Sequence, residues 1–179
     1  TDGANTLSIT TTGGTSFTGA IGATPLTGLT ISTATLTAHA ITLASSSAIS
    51  ITNSGAGTID GIIAGTGVTL TKAGADTLTL SGTNTYTGAT TISAGVLRAA
   101  NAAALGTTDS GTTVADGAAL ELSGGITFNA EALTIDGTGI SSGGALRNVS
   151  GTNIFQGAIT LGAQSTTSIN ADTGTTLTL

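Results

Sequence analysis

The chain has 179 residues, a formal net charge of −6, and only 7% charged and 2% aromatic residues, while its mean hydropathy is +0.41. Positive hydropathy with few charges excludes an intrinsically disordered chain, which shows the opposite balance. The three basic residues are too few for a phosphate-binding surface, so we expect no nucleic-acid partner and no electrostatic docking on membranes. The absence of cysteine excludes disulfides and thiol chemistry.

The sequence shows neither an export signal nor a membrane segment. No stretch approaches the roughly 20 consecutive apolar residues of a membrane-spanning helix, so we expect no direct membrane insertion. The first residues, TDGANTLSIT, lack the basic and apolar parts of a signal peptide. We therefore expect either a mature product or a piece of a longer protein.

From the N-terminus onward, pairs of apolar residues alternate with Thr or Ser, a period of two that predicts β-strands. The pairs are Leu7 and Ile9, Leu29 and Ile31, Ile41 and Leu43, Ile49 and Ile51, Val68 and Leu70, Leu78 and Leu80, Leu120 and Leu122, Leu133 and Ile135, Ile159 and Leu161, and Leu177 and Leu179. Turn clusters such as NSGAG (53–57) and DGTG (136–139) separate them. Only LRAANAAALG (97–106) has helical spacing, and it predicts a short helix or a loop packed over an end.

Strands at this spacing fit a sandwich, a barrel or a solenoid, and self-similarity favours the solenoid. The pattern x-L-T-L-x-G recurs as VTLTKAG (68–74), LTLSG (78–82), LELSG (120–124) and AITLGA (158–163). Short units that cannot bury their own apolar face are typical of stacked coils. With roughly 20 to 25 residues per coil, we predict an all-β solenoid of about eight coils, a rod of roughly 40 Å.

Both ends of the chain are strand-like and carry no charged or proline-rich cap. Solenoids usually cover their terminal coils. We therefore expect the partners of this chain to be neighbouring coils of a longer rod or copies of itself stacked end to end.

Residues 72–97, KAGADTLTLSGTNTYTGATTISAGVL, contain the only Lys and the only Tyr of the chain. They resemble the autotransporter-associated β-strand repeat of bacterial passenger regions, in which a Lys, a Gly turn and LTLSG lead into NTYTG, TT, AG and Leu. The matching residues are Lys72, Gly74, Leu78, Leu80, Gly82, Asn84, Tyr86, Gly88, Thr90, Thr91, Gly95 and Leu97. Asp76, Ala89 and Val96 depart from the Gly, Gly and Thr of that pattern. The resemblance covers roughly residues 66–179, whereas residues 1–65 share only the Thr/Gly-rich style of large surface adhesins.

The resemblance implies a right-handed parallel β-helix over residues 1–179, a single solenoid segment of a longer rod at the bacterial outer cell surface. It implies a non-enzymatic stalk or adhesin, with a host or bacterial surface ligand as a partner of the adhesin. One alternative is a self-stacking subunit of an extracellular filament or sheath. A lower-ranked alternative is a polysaccharide-active β-helix enzyme.

We expect no catalytic, cofactor or metal site. GISSG (139–143) matches G-x-S-x-G around Ser141, but it lacks the strand-turn-helix context, and the only histidine, His39, lies far away in sequence and is expected as an isolated surface residue. Glycoside hydrolysis needs two acids, and Glu121 and Glu131 are the only glutamates. Cross-coil clustering of the aspartates stays open, namely of Asp60, Asp76, Asp109, Asp116 and Asp136.

Asn84 and Tyr86 are the strongest candidates for special roles. One interpretation is an exposed contact for a receptor or glycan. The favoured one is structural, with Asn84 bonding a turn and the ring of Tyr86 covering a coil edge or corner. A last alternative is ice binding by Thr-x-Thr groups, which are Thr33, Thr35 and Thr37, Thr69 and Thr71, and Thr77 and Thr79.

Overall fold

The computed structural model describes residues 5–164 and 166–179, without the side chains of residues 23–25. Within these residues the chain forms β-strands joined by Gly-rich turns, a 3₁₀ turn at Ile140–Ser142, and no α-helix. The strands are β1 (Thr6–Thr10), β2 (Thr15–Ser16), β3 (Ile21–Thr33), β4 (Leu36–Ala38), β5 (Ile41–Asn53), β6 (Gly57–Ile59), β7 (Ile63–Ala64), β8 (Thr69–Ala73), β9 (Thr77–Leu80), β10 (Thr90–Ile92), β11 (Gly95–Ala99), β12 (Thr112–Val114), β13 (Ala118–Ser123), β14 (Thr127–Phe128), β15 (Leu133–Ile135), β16 (Leu146–Ser150), β17 (Thr152–Phe155), β18 (Ile159–Leu161), β19 (Ile169–Ala171) and β20 (Thr176–Thr178).

All pairings between these strands are parallel, and each joins one coil to the next. Sheet A has the order β1-β3-β5-β8-β10-β12-β15-β18, with β7 also paired to β5. Sheet B has the order β19-β16-β13-β11-β9-β6-β4-β2, and sheet C the order β14-β17-β20. The prediction of an all-β solenoid of about eight coils is therefore confirmed.

The length of a coil follows from the residues that pair in sheet A. Leu7 pairs with Leu29, Leu29 with Ile49, and Ile49 with Leu70, so the steps between partners are nearly equal. Near the C-terminus, Leu133 pairs with Ile159, and that step is longer than the earlier ones. The coil length that we predict from the sequence agrees with these pairings along most of the rod.

The apolar core lies inside the coils and is built as columns of register partners. One inward column of sheet A, which we call core column 1, consists of Leu7, Leu29, Ile49, Leu70, Thr90, Thr112, Leu133 and Ile159. Core column 2, two residues further along each strand, consists of Ile9, Ile31, Ile51, Lys72, Ile92, Val114, Ile135 and Leu161. Its last member, Leu161, is 62% exposed, because no further strand of sheet A covers it. Alternate side chains of a strand point to opposite faces, so the period-2 apolar pairs of the sequence become these two columns.

Sheets B and C close the core from the other sides. Sheet B contributes an aliphatic column of Leu78, Leu97, Leu120 and Leu146, all of them buried. In sheet C, the buried rings of Phe128 and Phe155 lie 6.2 Å apart between centroids and are tilted by 31°. Burial of one such side chain stabilises a fold by about 1.5–3 kcal/mol, so the columns account for the cohesion of coils that carry few charges.

The segment with helical spacing, 97–106, forms no helix. Its first part belongs to β11, and its second part is a turn in which the amides of Ala104 and Gly106 donate to the carbonyls of Asn101 and Ala103. Among the described residues, no helix has the length and apolarity required to cross a membrane.

Candidate functional site

The ten residues predicted as the structural motif lie inside the rod or in its turns. Those that are buried are Lys72, Leu78, Leu80, Gly82, Asn84, Tyr86, Gly95 and Leu97. Gly74 and Gly88 are partly buried. Neither the only Lys nor the only Tyr of the chain is available to a surface ligand, since both side chains have 0% exposure.

Two glycines of the motif are required by the backbone. Gly74 has φ 81° and Gly95 has φ 67°, a left-handed region that residues with a Cβ rarely adopt. A Cβ at Gly74 would also collide with the backbone of Asn53, and one at Gly95 with the carbonyl oxygen of Gly74. The two glycines therefore allow successive coils to approach closely at the same corner.

Lys72 extends its aliphatic stem in core column 2 and its ammonium group towards the corner between sheets A and B. Its Nζ donates to the carbonyl oxygens of Ala73 at 2.7 Å, Gly74 at 2.9 Å and Ala94 at 3.2 Å. An ammonium has three protons, so these acceptors satisfy it fully. Burial lowers the pKa of Lys72 to about 8, and the nearby carboxylate of Asp76 acts in the opposite direction. Because Ala94 lies on the following coil, Lys72 ties two coils together.

Asn84 makes a similar link at another turn. Its Oδ1 accepts from the amide of Ile63 at 2.8 Å, and its Nδ2 donates to the carbonyl of Ala104 at 2.6 Å. The residues that it bonds lie 21 and 20 positions away, about one coil in each direction. One buried amide therefore holds three consecutive coils in register.

Tyr86 is enclosed by the core rather than placed over an exposed edge or corner. Its hydroxyl lies 2.6 Å from Oγ1 of Thr90, a buried member of core column 1. Burial raises the pKa of Tyr86 well above its usual range; the hydrogen bond with Thr90 acts in the opposite direction, and the charge of Glu131 raises it further. Thr90 is smaller than the aliphatic residues in most other places of core column 1. The ring of Tyr86 fills the coil interior beside it.

Glu131 lies in the same region and was not singled out as a buried residue from the sequence. The residue has only 5% exposure, and its Oε1 accepts from the Thr112 hydroxyl at 3.0 Å. Burial raises the pKa of Glu131 to about 7, with the Thr112 hydrogen bond acting in the opposite direction. The sequence signal that was available is the register of the repeats, which places Thr90 and Thr112 where other coils have leucine.

The segment that carries Lys72, Asn84 and Tyr86 matches a family model described as passenger-associated-transport-repeat, over residues 70–99. These residues fit an autotransporter passenger repeat. The resemblance of residues 72–97 is thereby confirmed, while its extension over residues 66–179 stays a prediction. No curated protein and no solved structure gives a significant match to the chain. The passenger repeat indicates a structural, passenger-associated role and suggests a surface or secreted protein.

Buried asparagines in other coils link neighbouring coils by hydrogen bonds, as Asn84 does in the passenger repeat. Asn53 donates through Nδ2 to the carbonyls of Gly55 at 2.7 Å and Thr77 at 3.0 Å. Asn148 donates to Gly151 at 3.0 Å and to Thr176 at 2.8 Å. We did not identify these residues from the sequence, because an Asn beside a Gly-rich turn looks the same whether its side chain points inward or outward.

Charged side chains form a ladder of ion pairs on the outer face of sheet B. The ladder begins at Arg98, within the passenger repeat. Its Nη2 donates to Oε2 of Glu121 at 2.6 Å, and Oε1 of Glu121 lies 3.7 Å from Nη1 of Arg147. Arg147 then binds both carboxylate oxygens of Asp172, at 2.7 and 2.9 Å. Its pKa is raised above the usual value, chiefly by the hydrogen bond with Asp172. The ladder uses both arginines of the chain.

His39 is not the isolated residue that we expect from the sequence. Its Nδ1 lies 2.5 Å from Oδ1 of Asp60, and both side chains are about half exposed. The pairing of β4 with β6 brings the two residues together from adjacent coils, although they are 21 positions apart. A cross-coil neighbour of this kind becomes visible in the sequence only once the coil length is known.

The other residues considered for chemistry are dispersed. Ser141 lies in an exposed 3₁₀ turn with φ 50°, on coils well beyond the one that carries His39. Glu121 belongs to the outer ladder of sheet B, and Glu131 to the interior beside sheet A. In the part of the chain that the structure describes, no three His, Asp or Glu side chains come together as a potential metal site, and no surface pocket opens.

The Thr-x-Thr groups do not share one face. Thr33 is buried at a corner, where its hydroxyl donates to a backbone carbonyl oxygen, while Thr71 lies on the outer side of sheet A and Thr79 on that of sheet B. The outer side of sheet A instead carries one hydroxyl per coil, in a column that we call the outer hydroxyl column. Its members are Ser8, Thr30, Ser50, Thr71, Thr91, Thr113, Thr134 and Thr160.

Proposed function

We propose that this chain is a non-enzymatic rod segment of a secreted bacterial cell-surface protein, serving as a stalk or adhesin. The observation that supports this most directly is the position of its only Lys, its only Tyr and the neighbouring Asn84. Lys72, Asn84 and Tyr86 face inward, and Lys72 and Asn84 use their polar groups to bind neighbouring coils. Side chains that bind neighbouring coils in this way hold the coils of the rod together.

A force along the axis of such a rod would be borne by backbone hydrogen bonds between coils. Every strand pairing of sheets A, B and C connects successive coils, so the hydrogen bonds lie along the rod axis. About eight coils at the usual inter-strand spacing of about 4.8 Å give a length of roughly 40 Å. Extension of the rod would require many parallel hydrogen bonds to break together, which suits a spacer between a cell surface and a distal binding region.

The outer wall suits a stalk because it is hydrated and nearly uncharged along sheet A. The outer hydroxyl column places a Ser or Thr at every coil, and β-branched Thr favours the extended backbone. As partners we propose the neighbouring coils of a longer rod or copies of this chain stacked end to end. For the adhesin form, a host or bacterial surface ligand is added.

Small-angle X-ray scattering from the purified chain tests the rod. We expect a cross-section that does not change with concentration and a longest dimension near that of about eight stacked coils. A compact, roughly spherical particle would contradict the proposal. Growth of the longest dimension with concentration at constant cross-section would instead favour the self-stacking filament.

Binding and turnover assays separate the remaining alternatives. A stalk leaves host cells and bacterial surfaces unlabelled, whereas an adhesin labels them saturably. Turnover on a panel of polysaccharides that is lost in Glu121→Gln or Asp116→Asn would overturn the non-enzymatic proposal. The variant Asp109→Asn, at an exposed acid outside this pair, is the control for a non-specific effect of charge.

A further inference from the structure

Four polar side chains form one buried group inside a core that is otherwise mainly aliphatic. They are Tyr86, Thr90, Thr112 and Glu131, with exposures of 0%, 1%, 1% and 5%, and we call them the Tyr86–Glu131 cluster. Two of them, Thr90 and Thr112, are consecutive members of core column 1. The cluster therefore spans three consecutive coils, with Glu131 on the coil after Thr112, and each of its threonines holds a position that is aliphatic elsewhere in the same column.

The cluster is organised as two hydrogen-bonded pairs placed side by side. The hydroxyls of Tyr86 and Thr90 are 2.6 Å apart, and the Thr112 hydroxyl donates to Glu131 Oε1 at 3.0 Å. Thr90 and Thr112 are register partners on neighbouring coils, and Glu131 lies on the next coil, just before Leu133, the register partner of Thr112, so the two pairs follow one another over three consecutive coils. The charge of Glu131 also acts on the Tyr86 phenol, so the two ends of the cluster are electrostatically coupled.

The backbone of Glu131 is confined as tightly as its side chain. Its amide donates to the carbonyl of Asn129 at 2.6 Å, and Gly157 of the following coil lies against its backbone so closely that a Cβ there would collide. No cation forms an ion pair with Glu131 among the described residues. The groups that contact it are the Thr112 hydroxyl of β12 and the Gly157 backbone, and its negative charge, when present, raises the pKa of Tyr86.

We propose that the Tyr86–Glu131 cluster is a proton-controlled clasp, in which the coil carrying Glu131 is held closed most strongly while that carboxyl is protonated and opens more readily once the proton leaves. A protonated carboxyl is neutral, so its burial costs far less, and it can keep its hydrogen bond with the Thr112 hydroxyl. A carboxylate in the same place has one hydroxyl donor and, among the described residues, no cation, so loss of the proton makes opening of the coil, and hydration of the carboxylate, less costly. The clasp is a property of the rod itself and does not depend on whether the rod is a stalk or an adhesin.

The direction of the effect follows from proton linkage. Burial raises the pKa of Glu131 from 4.5 to about 7, so the closed coil binds the proton more tightly than an open coil does. Closure is therefore fully favoured below about pH 4.5 and is weakened as the pH rises through about 7. Between about pH 5 and pH 8, the opening constant of this coil should rise on the order of 100-fold.

Hydrogen exchange and tyrosine fluorescence measure this opening at the cluster itself. After correction for the intrinsic pH dependence of exchange, amides of residues 129–135 should lose protection as the pH rises, while those of β3 and β5 do not. Tyr86 is the only Tyr and the chain has no Trp, so quenching of intrinsic fluorescence by acrylamide reports on the Tyr86 end of the cluster, two coils from Glu131. Quenching should increase over the same pH range.

The variant Glu131→Gln mimics the protonated carboxyl and should keep both readings constant across this range. The matched control is Glu121→Gln, the same change at the only other glutamate, which should leave the transition in place. His39→Gln, at the only histidine of the chain, should also leave it in place. Equal pH dependence in the wild type and in Glu131→Gln would overturn the proposal.

A direct titration keeps the test decisive if Glu131→Gln does not fold. The carboxyl carbon of Glu131 in the wild-type chain is followed by NMR as the pH is raised. A midpoint near 7 that coincides with the loss of amide protection supports the clasp. A midpoint near that of an ordinary glutamate, about 4.3, overturns it.

Discussion

Lys72 of β8 is the register partner of Ile92 of β10, so a side chain with an ammonium group and an aliphatic side chain occupy successive places in core column 2. The stem of Lys72 packs where Ile92 packs one coil later, and only its Nζ leaves the column, towards the carbonyls of Ala73, Gly74 and Ala94. The column therefore admits a charge because the corner beside it presents three backbone acceptors.

Replacement of that ammonium with an apolar group should destabilise the rod. Lys72→Met keeps most of the stem but leaves the three carbonyls without their donor, and we expect the free energy of unfolding to fall by about 2 kcal/mol. Urea unfolding followed by far-UV circular dichroism measures this loss. Ile92→Met, in the next place of the same column, is the control and should cost less than about 1.5 kcal/mol. Equal losses in the two variants would mean that desolvation of the ammonium cancels its hydrogen bonds.

The hydroxyl of Tyr86 should contribute to stability through Thr90 alone. Tyr86→Phe keeps the ring and removes the 2.6 Å contact with Thr90 Oγ1, so we expect a loss of about 1 kcal/mol. A double-mutant cycle with Thr90→Val measures the coupling directly. If the effects of the two substitutions simply add, the hydroxyl pair carries no interaction energy.

A comparison of Gly95 with Gly117 distinguishes two reasons for a glycine at a corner, a positive φ and close approach of the neighbouring coil. Both have positive φ, 67° and 74°, but a Cβ at Gly95 would meet the backbone of Gly74, whereas one at Gly117 would meet nothing within 4 Å. Alanine at Gly117 should therefore cost only the strain of the left-handed backbone, about 1–2 kcal/mol. Alanine at Gly95 should cost clearly more, and thermal unfolding of the two variants measures the difference. Equal costs would show that close approach of the coils is unimportant there.

The ladder on sheet B should respond to salt through Glu121. Its side chain is 7% exposed and lies between Arg98 and Arg147, so Glu121→Gln leaves two guanidinium groups facing each other across a neutral amide. We expect a loss of about 1–2 kcal/mol at low ionic strength, between the values for exposed and for buried ion pairs. Since salt screens the remaining repulsion, the loss should shrink at about 1 M NaCl. Asp109→Asn, outside the ladder, should show no such salt dependence.

Much of the fold was accessible from the sequence because one physical rule dominates it. Alternation of aliphatic residues with Thr or Ser fixes which side chains face inward, and the recurrence of that pattern predicts the coil length. The same rule places Lys72 inward, at the second position after Leu70, and only the general expectation that charges stay in water argues against it. The residues of the passenger repeat could also be recognised, since the motif is a string of neighbouring letters.

The buried polar contacts were harder to predict because they depend on pairs that lie one coil apart. Glu131 and Thr112 are 19 positions apart, and His39 and Asp60 are 21. A small error in the assumed coil length assigns each of them a different neighbour. The step from Leu133 to its partner Ile159 is longer than the steps between partners near the N-terminus, so no fixed period gives the correct pairs along the whole chain.

Because of the outer hydroxyl column, a longer or shorter rod of this kind would present the same surface chemistry along sheet A. Each coil adds one Ser or Thr to the column and two members to the core columns, so insertion or deletion of one whole coil would restore the same pattern on either side. A gene encoding such a chain can gain or lose a coil by in-frame duplication or deletion without creating a new kind of junction. Recombination can then change the length of the rod one coil at a time.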